Sequence, residues 1–265
     1  LGDEATDSIT FTGGVETAGN VTNPTTVNVA GTVATDNTPM VLGAVTVADN
    51  ATLNSGTANL TVGAVTITDG TLLTLVTGTG TNSTTGTIAG TASNAASKVT
   101  YNTTGTISVD AVGTDIGTVT VTQSGGSTFS SVDATTVTLT DTDGLIAFNG
   151  ALTADTLNTT SQNYNLAINA GGAITDVATL SNTGTLTLGN GSGDILAFTA
   201  GVTATLASSN NIAGTISAAG TGVINLGKGA IAVTDDAIVG GASTGDITLG
   251  AVTLADDKSL TVGTG

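Results

Sequence analysis

Aspartates are the residues of this sequence whose type and spacing could do chemistry. Asp141-Thr142-Asp143-Gly144 sets two carboxylates ahead of a glycine, as in the opening of a calcium loop, but the remaining ligands of an EF-hand are missing. Gly189-Asn190-Gly191-Ser192-Gly193-Asp194-Ile195-Leu196 has the outline of one copy of the nonapeptide that binds calcium in β-rolls, a site that needs consecutive copies. Asp235-Asp236 and Asp256-Asp257 follow one another at nearly the same interval as Asp49 and Asp69, so each set could lie in register on successive layers of a repeating fold. Like charges about 5 Å apart repel by under about 1 kcal/mol in water, and by about 3–4 kcal/mol at an effective dielectric of about 20. An exposed ladder needs no ion; a half-buried one would gain from calcium. Calcium is thus the one cofactor the sequence admits, with Asp141, Asp143, Asp194, Asp235, Asp236, Asp256 and Asp257 as candidate ligands. The plainer reading of each is a solvated turn.

Other chemistry has little to work with. Histidine and cysteine are absent, which removes the commonest general base, the commonest transition-metal ligand, the thiolate nucleophile and any disulfide framework. There is no arginine, and Lys98, Lys228 and Lys258 are the only basic side chains against a formal net charge of −17. Nucleic-acid binding is not expected of such a chain. Enzymes that process polysaccharides need a base, cationic groups and aromatic platforms. The aromatic side chains here, Phe11, Phe129, Phe148, Phe198, Tyr101 and Tyr164, are not surrounded by cations. They read as packing residues, and the chain reads as no enzyme.

The elements that would position the aspartates follow from composition. The chain is acidic yet not hydrophilic: 39% of its 265 residues are apolar and 9% charged, with mean hydropathy +0.35. Disordered acidic chains combine charge with low hydrophobicity, so a core-forming fold is the better reading. Abundant Thr and Gly and scarce Glu and Lys favour strands and tight turns over helix. The recurring pattern is a glycine, a small residue, then alternating aliphatic and hydroxyl residues. GAVTVADN at 43–50, GAVTITDG at 63–70 and GAVTLADD at 250–257 show it most fully. Val65 and Ile67 should face inward and Thr66 and Thr68 outward; Val119 and Val121, and Val137 and Leu139, repeat the arrangement.

These units recur about every 20 residues, from Gly43 to Gly63, Gly229 to Gly250 and Gly150 to Gly172. Such a period is that of a solenoid, in which each coil buries its apolar face only against its neighbours. The expectation is one continuous parallel β-solenoid over 1–265, a right-handed β-helix with about 20–24 residues per coil, hence about 11–13 coils and a length on the order of 55 Å. Tandem β-sandwich domains are the alternative. The longer gaps after Gly117 and Gly184 are expected to be loops. Asp49-Asn50, Asp69-Gly70, Asp143-Gly144, Asn190-Gly191 and Gly240-Gly241 should be turns, and Pro24 and Pro39 edge or loop positions.

Thr rows on a β-surface could bind ice if they formed one flat array, but no strict period runs through them, and ordinary solvent-facing Thr is the plainer reading. Sequons such as Asn20-Val-Thr22 and Asn50-Ala-Thr52 arise by chance in so Thr-rich a chain. No apolar run approaches the roughly 18 residues that span a bilayer. The chain starts with Leu and shows no signal peptide, which suggests processing or a segment of something longer. Gly2-Asp3 with Ile9 to Val15 echoes Gly193-Asp194-Ile195 with Phe198 to Val202. Neither end carries a polar cap, so a slice of a longer solenoid or head-to-tail stacking of copies is expected.

GAVTVADNATL, GTLTLGNGSGDILAFTAGV and GAVTLADDKSLTVGTG resemble the passenger regions of large bacterial surface proteins, rickettsial-type autotransporters and filamentous-haemagglutinin-like adhesins. The resemblance implies a secreted β-helix with a structural or adhesive role. The expected function is therefore an extracellular, non-enzymatic fibre or filament protein at the cell surface, whose partner is another copy of itself. An adhesin segment with a cell-surface or glycan ligand, and an acidic surface-layer protein, are the alternatives.

Overall fold

The computed structural model describes residues 4–11, 15–16, 26–93 and 96–263, with side chains throughout except at 8–11, 15–16 and 141. Pro24, the sequon at Asn20 and the Gly2-Asp3 part of the echo lie outside the described residues. The fold is a β-solenoid of about 11 turns, all strand and no helix among the described residues, with parallel pairing. Every described register is parallel, which removes the sandwich alternative, since stacked sandwiches pair antiparallel.

The chain divides into two compact units, residues 1–129 with 133–135 and residues 130–132 with 136–265. Each is built the same way, from coils with three strand-bearing faces. In the first unit, Val27, Val45, Val65 and Ile88 stack on one face. Val33, Leu53, Leu75, Tyr101 and Val121 stack on the second, and Met40, Leu60, Asn82 and Ile107 on the third. In the second unit the rows are Ile146, Leu166, Leu186, Asn210, Ile231; Leu152, Gly172, Leu196, Ile216, Val239; and Ala178, Val202, Ile224. Side chains alternate across a strand, so each inward row fills the core and its neighbours point out. Val65 and Ile67 are buried and Thr66 exposed, as their spacing predicts.

Stacking keeps its register although the coils differ in length. Thr26 pairs with Ala44, Val45 with Val65 and Leu72 with Lys98, at intervals that grow from one pair to the next. The surplus is absorbed at corners. Two sequence expectations change accordingly. The stretches after Gly117 and Gly184 are not loops: one holds the 16-residue strand Ser127–Thr142 and the other the strands Thr185–Leu188, Ile195–Phe198 and Gly201–Thr203. Asp49-Asn50 is not a gap between strands but a bulge inside Ala44–Asn54, and Gly240-Gly241 ends Ala230–Gly241. A bulge bends a strand without ending its ladder. Asp69-Gly70, Asp143-Gly144 and Asn190-Gly191 lie at turns or bends, as expected.

Small hydroxyls close the corners from inside. Thr35 Oγ1 donates to the Thr38 carbonyl (2.5 Å), Ser55 Oγ to Ala58 (2.7 Å) and Thr77 Oγ1 to Gly80 (2.9 Å), and all three are buried. This short reach along the chain satisfies a carbonyl that no strand can pair at a bend. The described aromatic side chains are core, not surface: Tyr101, Phe129, Phe148, Tyr164 and Phe198 are at most 1% exposed. Tyr101 meets Phe129 edge to face at 6.1 Å.

Leu75 and Thr74 test the stacking directly. Leu75→Ala should cost about 2–5 kcal/mol by leaving a cavity between Leu53 and Tyr101, and the outward Thr74→Ala about 0.5 kcal/mol or less, measured by chemical denaturation.

Candidate functional site

The aspartates lie at the corners, and two of these corners are built alike. In the second unit, the turn Gly191–Asp194 is closed by the Asp194 amide donating to the Gly191 carbonyl (3.1 Å), while Asp194 Oδ2 accepts the amides of Asn190 (2.8 Å) and Gly191 (2.9 Å). The Asp194 carbonyl then receives the Thr215 amide (2.7 Å) of the next coil. In the first unit, Asp7 closes on Glu4 (3.1 Å), Asp7 Oδ2 accepts the Glu4 amide (3.4 Å), and the Asp7 carbonyl receives the Thr32 amide (2.6 Å).

Above each turn sits a glycine, Gly31 (φ 65) or Gly214 (φ 68), in matching strands Thr26–Thr35 and Ser209–Ala218. A Cβ there would strike the carbonyl of Asp7 or of Asp194, so both the left-handed backbone and the contact require glycine. Each corner is also spanned across a whole coil: Asp49 Oδ2 accepts the Ala5 amide (3.3 Å), 44 residues back, and Asp235 Oδ2 accepts the Ser192 amide (3.2 Å), 43 residues back. The other oxygen of each carboxylate takes the next amide along, Asn50 (2.7 Å) or Asp236 (2.8 Å).

The correspondence runs into the next coil. Thr68–Thr71 and Ala255–Lys258 are equivalent turns, closed at 3.0 and 3.1 Å, with Gly70 (φ 77) and Asp257 (φ 59) at the left-handed position. Leu72 donates its amide to Asn50 Oδ1 (2.8 Å), as Ser259 does to Asp236 Oδ1 (2.9 Å). Asn37, Asn59 and Asn165 likewise take the amides of Thr57, Thr81 and Thr185 from the following coil. At a corner the strand carbonyl is out of reach, and a side-chain oxygen replaces it. The echo seen in sequence is therefore displaced: Asp7, not Asp3, matches Asp194, which aligns DSITFTGGV with DILAFTAGV without a gap.

One residue separates the two corners. Lys258 Nζ lies 2.8 Å from Asp235 Oδ1, and the equivalent position facing Asp49 is Thr71, whose hydroxyl donates to the Thr68 carbonyl (2.7 Å). The Lys258 ammonium, helped by the Asp236 and Ser192 amides, holds the Asp235 carboxyl below its ordinary range, and Asp235 in turn raises Lys258. The stabilisation from Asp235 is in place above the ordinary carboxylate range and lost as pH falls through its depressed value. That from Lys258 is in place below the ordinary lysine value and lost as pH rises through its raised one.

These contacts decide where the candidate calcium ligands stand. The predicted register of Asp235-Asp236 on Asp256-Asp257 does not form. The corner is longer by two positions, so Lys258 and Ser259 come to Asp235 and Asp236, and Asp256 and Asp257 turn out into solvent. Asp194 commits an oxygen to two amides, Asp143 is exposed at its bend, and the Asp141 side chain lies outside the described residues. Among the described residues, no three acidic side chains gather as a metal site. The arrangement binds coils to one another: even the Ser259 hydroxyl, which donates to Asp236 Oδ1 (2.8 Å), joins one coil to the next.

Buried polar groups carry no signal in the alternating pattern. Asn82 stands in the apolar row between Leu60 and Ile107, wholly buried, with neither its side-chain nitrogen nor its oxygen hydrogen-bonded. Tyr101 approaches Thr84 nearby without a well-formed hydrogen bond, and burial pushes its phenol well above the ordinary range. Burial likewise pushes Tyr164 up to about 12. Outward, Thr32, Thr52, Thr74, Thr100 and Thr120 form one file, a residue per coil. Varying coil lengths hide this file in the sequence.

No protein-family model, curated protein or solved structure matches the chain.

Two substitutions probe these sites. Lys258→Met should return the Asp235 carboxyl toward its ordinary range in an NMR titration and speed amide exchange at Ser259. Asn82→Leu should raise stability by about 1–3 kcal/mol in denaturant melts, because it removes a desolvated amide from an apolar row.

Proposed function

We propose that this chain is a non-enzymatic structural protein of the cell exterior, whose copies add head to tail into a surface fibre or filament. One observation carries the reading. Val252, Leu254 and Val262 occupy inward positions yet are 36, 45 and 51% exposed, whereas Ile231, Val233 and Val239, on which they stack, are at most 1% exposed. The same rows thus continue to a coil whose apolar face and strand edges no described residue covers. Burying such side chains is worth about 1.5–3 kcal/mol each, and parallel edges are templates for another chain. Corner residues that join one coil to the next would serve between copies as they do within one.

Absence of cysteine and scarcity of lysine fit an exterior location, and the resemblance to bacterial surface passengers points the same way. The file of outward threonines favours a second reading, an adhesin segment whose side takes a cell-surface or glycan ligand.

Negative-stain imaging and sedimentation of the purified chain, with and without a chelator, test the proposal. The expected result is unbranched fibres that increase with concentration and survive chelation. Leu254→Lys should leave single molecules, and the outward Thr253→Lys should not. Single molecules of the unaltered chain at high concentration would overturn the reading in favour of an adhesin. Flat lattices that dissolve on chelation would overturn it in favour of a surface-layer protein.

A further inference from the structure

Two Asn-Gly pairs occur in the chain, Asn149-Gly150 and Asn190-Gly191, and their surroundings differ in the features that govern spontaneous deamidation. In that reaction the glycine amide nitrogen attacks the asparagine Cγ. The C–N bond to the side-chain nitrogen breaks, ammonia leaves with the proton from the amide, and a succinimide ring remains. Water then opens the ring at either carbonyl, giving aspartate or isoaspartate. Glycine favours the step because no side chain shields its nitrogen.

At Asn190 the attacking group is held. The Gly191 amide donates to Asp194 Oδ2 at 2.9 Å, and the Asn190 amide donates to the same oxygen at 2.8 Å. The Asp194 amide returns to the Gly191 carbonyl at 3.1 Å, so Gly191 is held through both its amide and its carbonyl. Attack requires this charge-assisted bond to break first. At Asn149 the attacking group is not held: among the described residues no acceptor takes the Gly150 amide. Asn149 is exposed at the corner after the strand Leu145–Phe148. Its Oδ1 accepts a hydrogen bond from Asn169 Nδ2 at 2.8 Å, which draws electrons from the Cγ that must be attacked. Asn169 is itself fixed by its amide donating to the Phe148 carbonyl (2.8 Å).

We propose that Asn149 is a self-modification site of this protein, converting to aspartate and isoaspartate with water as the only co-reactant, while the Asp194 turn protects Asn190. The product adds a negative charge where Asn149 faces Asn169. The isoaspartate form also adds a main-chain atom next to Gly150, whose backbone packs so closely on the neighbouring coil that a Cβ there would strike the Ser130 carbonyl. Conversion therefore strains the stacking of that coil on its neighbour and marks the age of the chain.

The test is peptide mapping by mass spectrometry of the purified full chain held in warm neutral buffer, with fragmentation that tells aspartate from isoaspartate. Asn149 should convert about tenfold or more faster than Asn190, the factor a charge-assisted hydrogen bond is worth. Asn169→Ala should slow Asn149, and Asp194→Asn should speed Asn190, with circular dichroism confirming that each variant keeps its strands. If Asp194→Asn does not fold, the Asn169→Ala arm decides alone. Equal or faster conversion at Asn190 overturns the proposal. So does an intact Asn149 under conditions that convert a synthetic Phe-Asn-Gly-Ala-Leu peptide.

Discussion

A coil of this protein has no interior of its own. Short and three-sided, it turns Val, Ile and Leu toward an axis that only the coils before and after can cover. Stacking of like on like, Val27 on Val45 on Val65, provides both the apolar burial and the parallel hydrogen bonds. This explains how a chain with 2% aromatic residues still has a core: the space between three narrow faces suits small β-branched side chains. The described aromatic side chains lie wholly in this core.

Everything at the corners follows from keeping that stack in register. Strand ladders are bulged or interrupted at a corner, so some backbone groups there need other partners. Buried Thr35, Ser55 and Thr77 supply them from inside, and Asn50, Asn59, Asn165 and Asp236 supply them from outside. The acidity of the protein is in this sense structural. Several of its carboxylates are acceptors for corner amides, and Asp49 and Asp235 reach across an entire coil to do it.

Much of this is legible in the sequence, and the reasons are local. Alternation in GAVTITDG fixes which way Val65 and Ile67 point, and the regular return of that octet calls for a solenoid whatever the details. What cannot be read depends on coil length. The file Thr32, Thr52, Thr74, Thr100, Thr120 advances by unequal steps, so no fixed repeat reveals it. The extra pair Asp256-Asp257 is enough to bring Lys258 to Asp235 in place of a like charge. Asn82 and Asn210 sit at core positions where the pattern asks for an aliphatic residue, and a single sequence offers no sign of it.

The tolerance of the stack for unequal coils has a consequence for how such a protein can vary. A coil that lengthens at a corner keeps its inward rows in register with its neighbours on both sides of the bend, as Ile231 on Val252 and Val239 on Val262 do across Asp256-Asp257. Lateral decoration and axial construction are thereby independent. Segments of new sequence could be spliced into the outer bends at Asp143-Gly144 or Asp256-Asp257, each projecting its own chemistry, while the scaffold beneath continues unchanged. Such a body accepts novelty at its rim without renegotiating its centre.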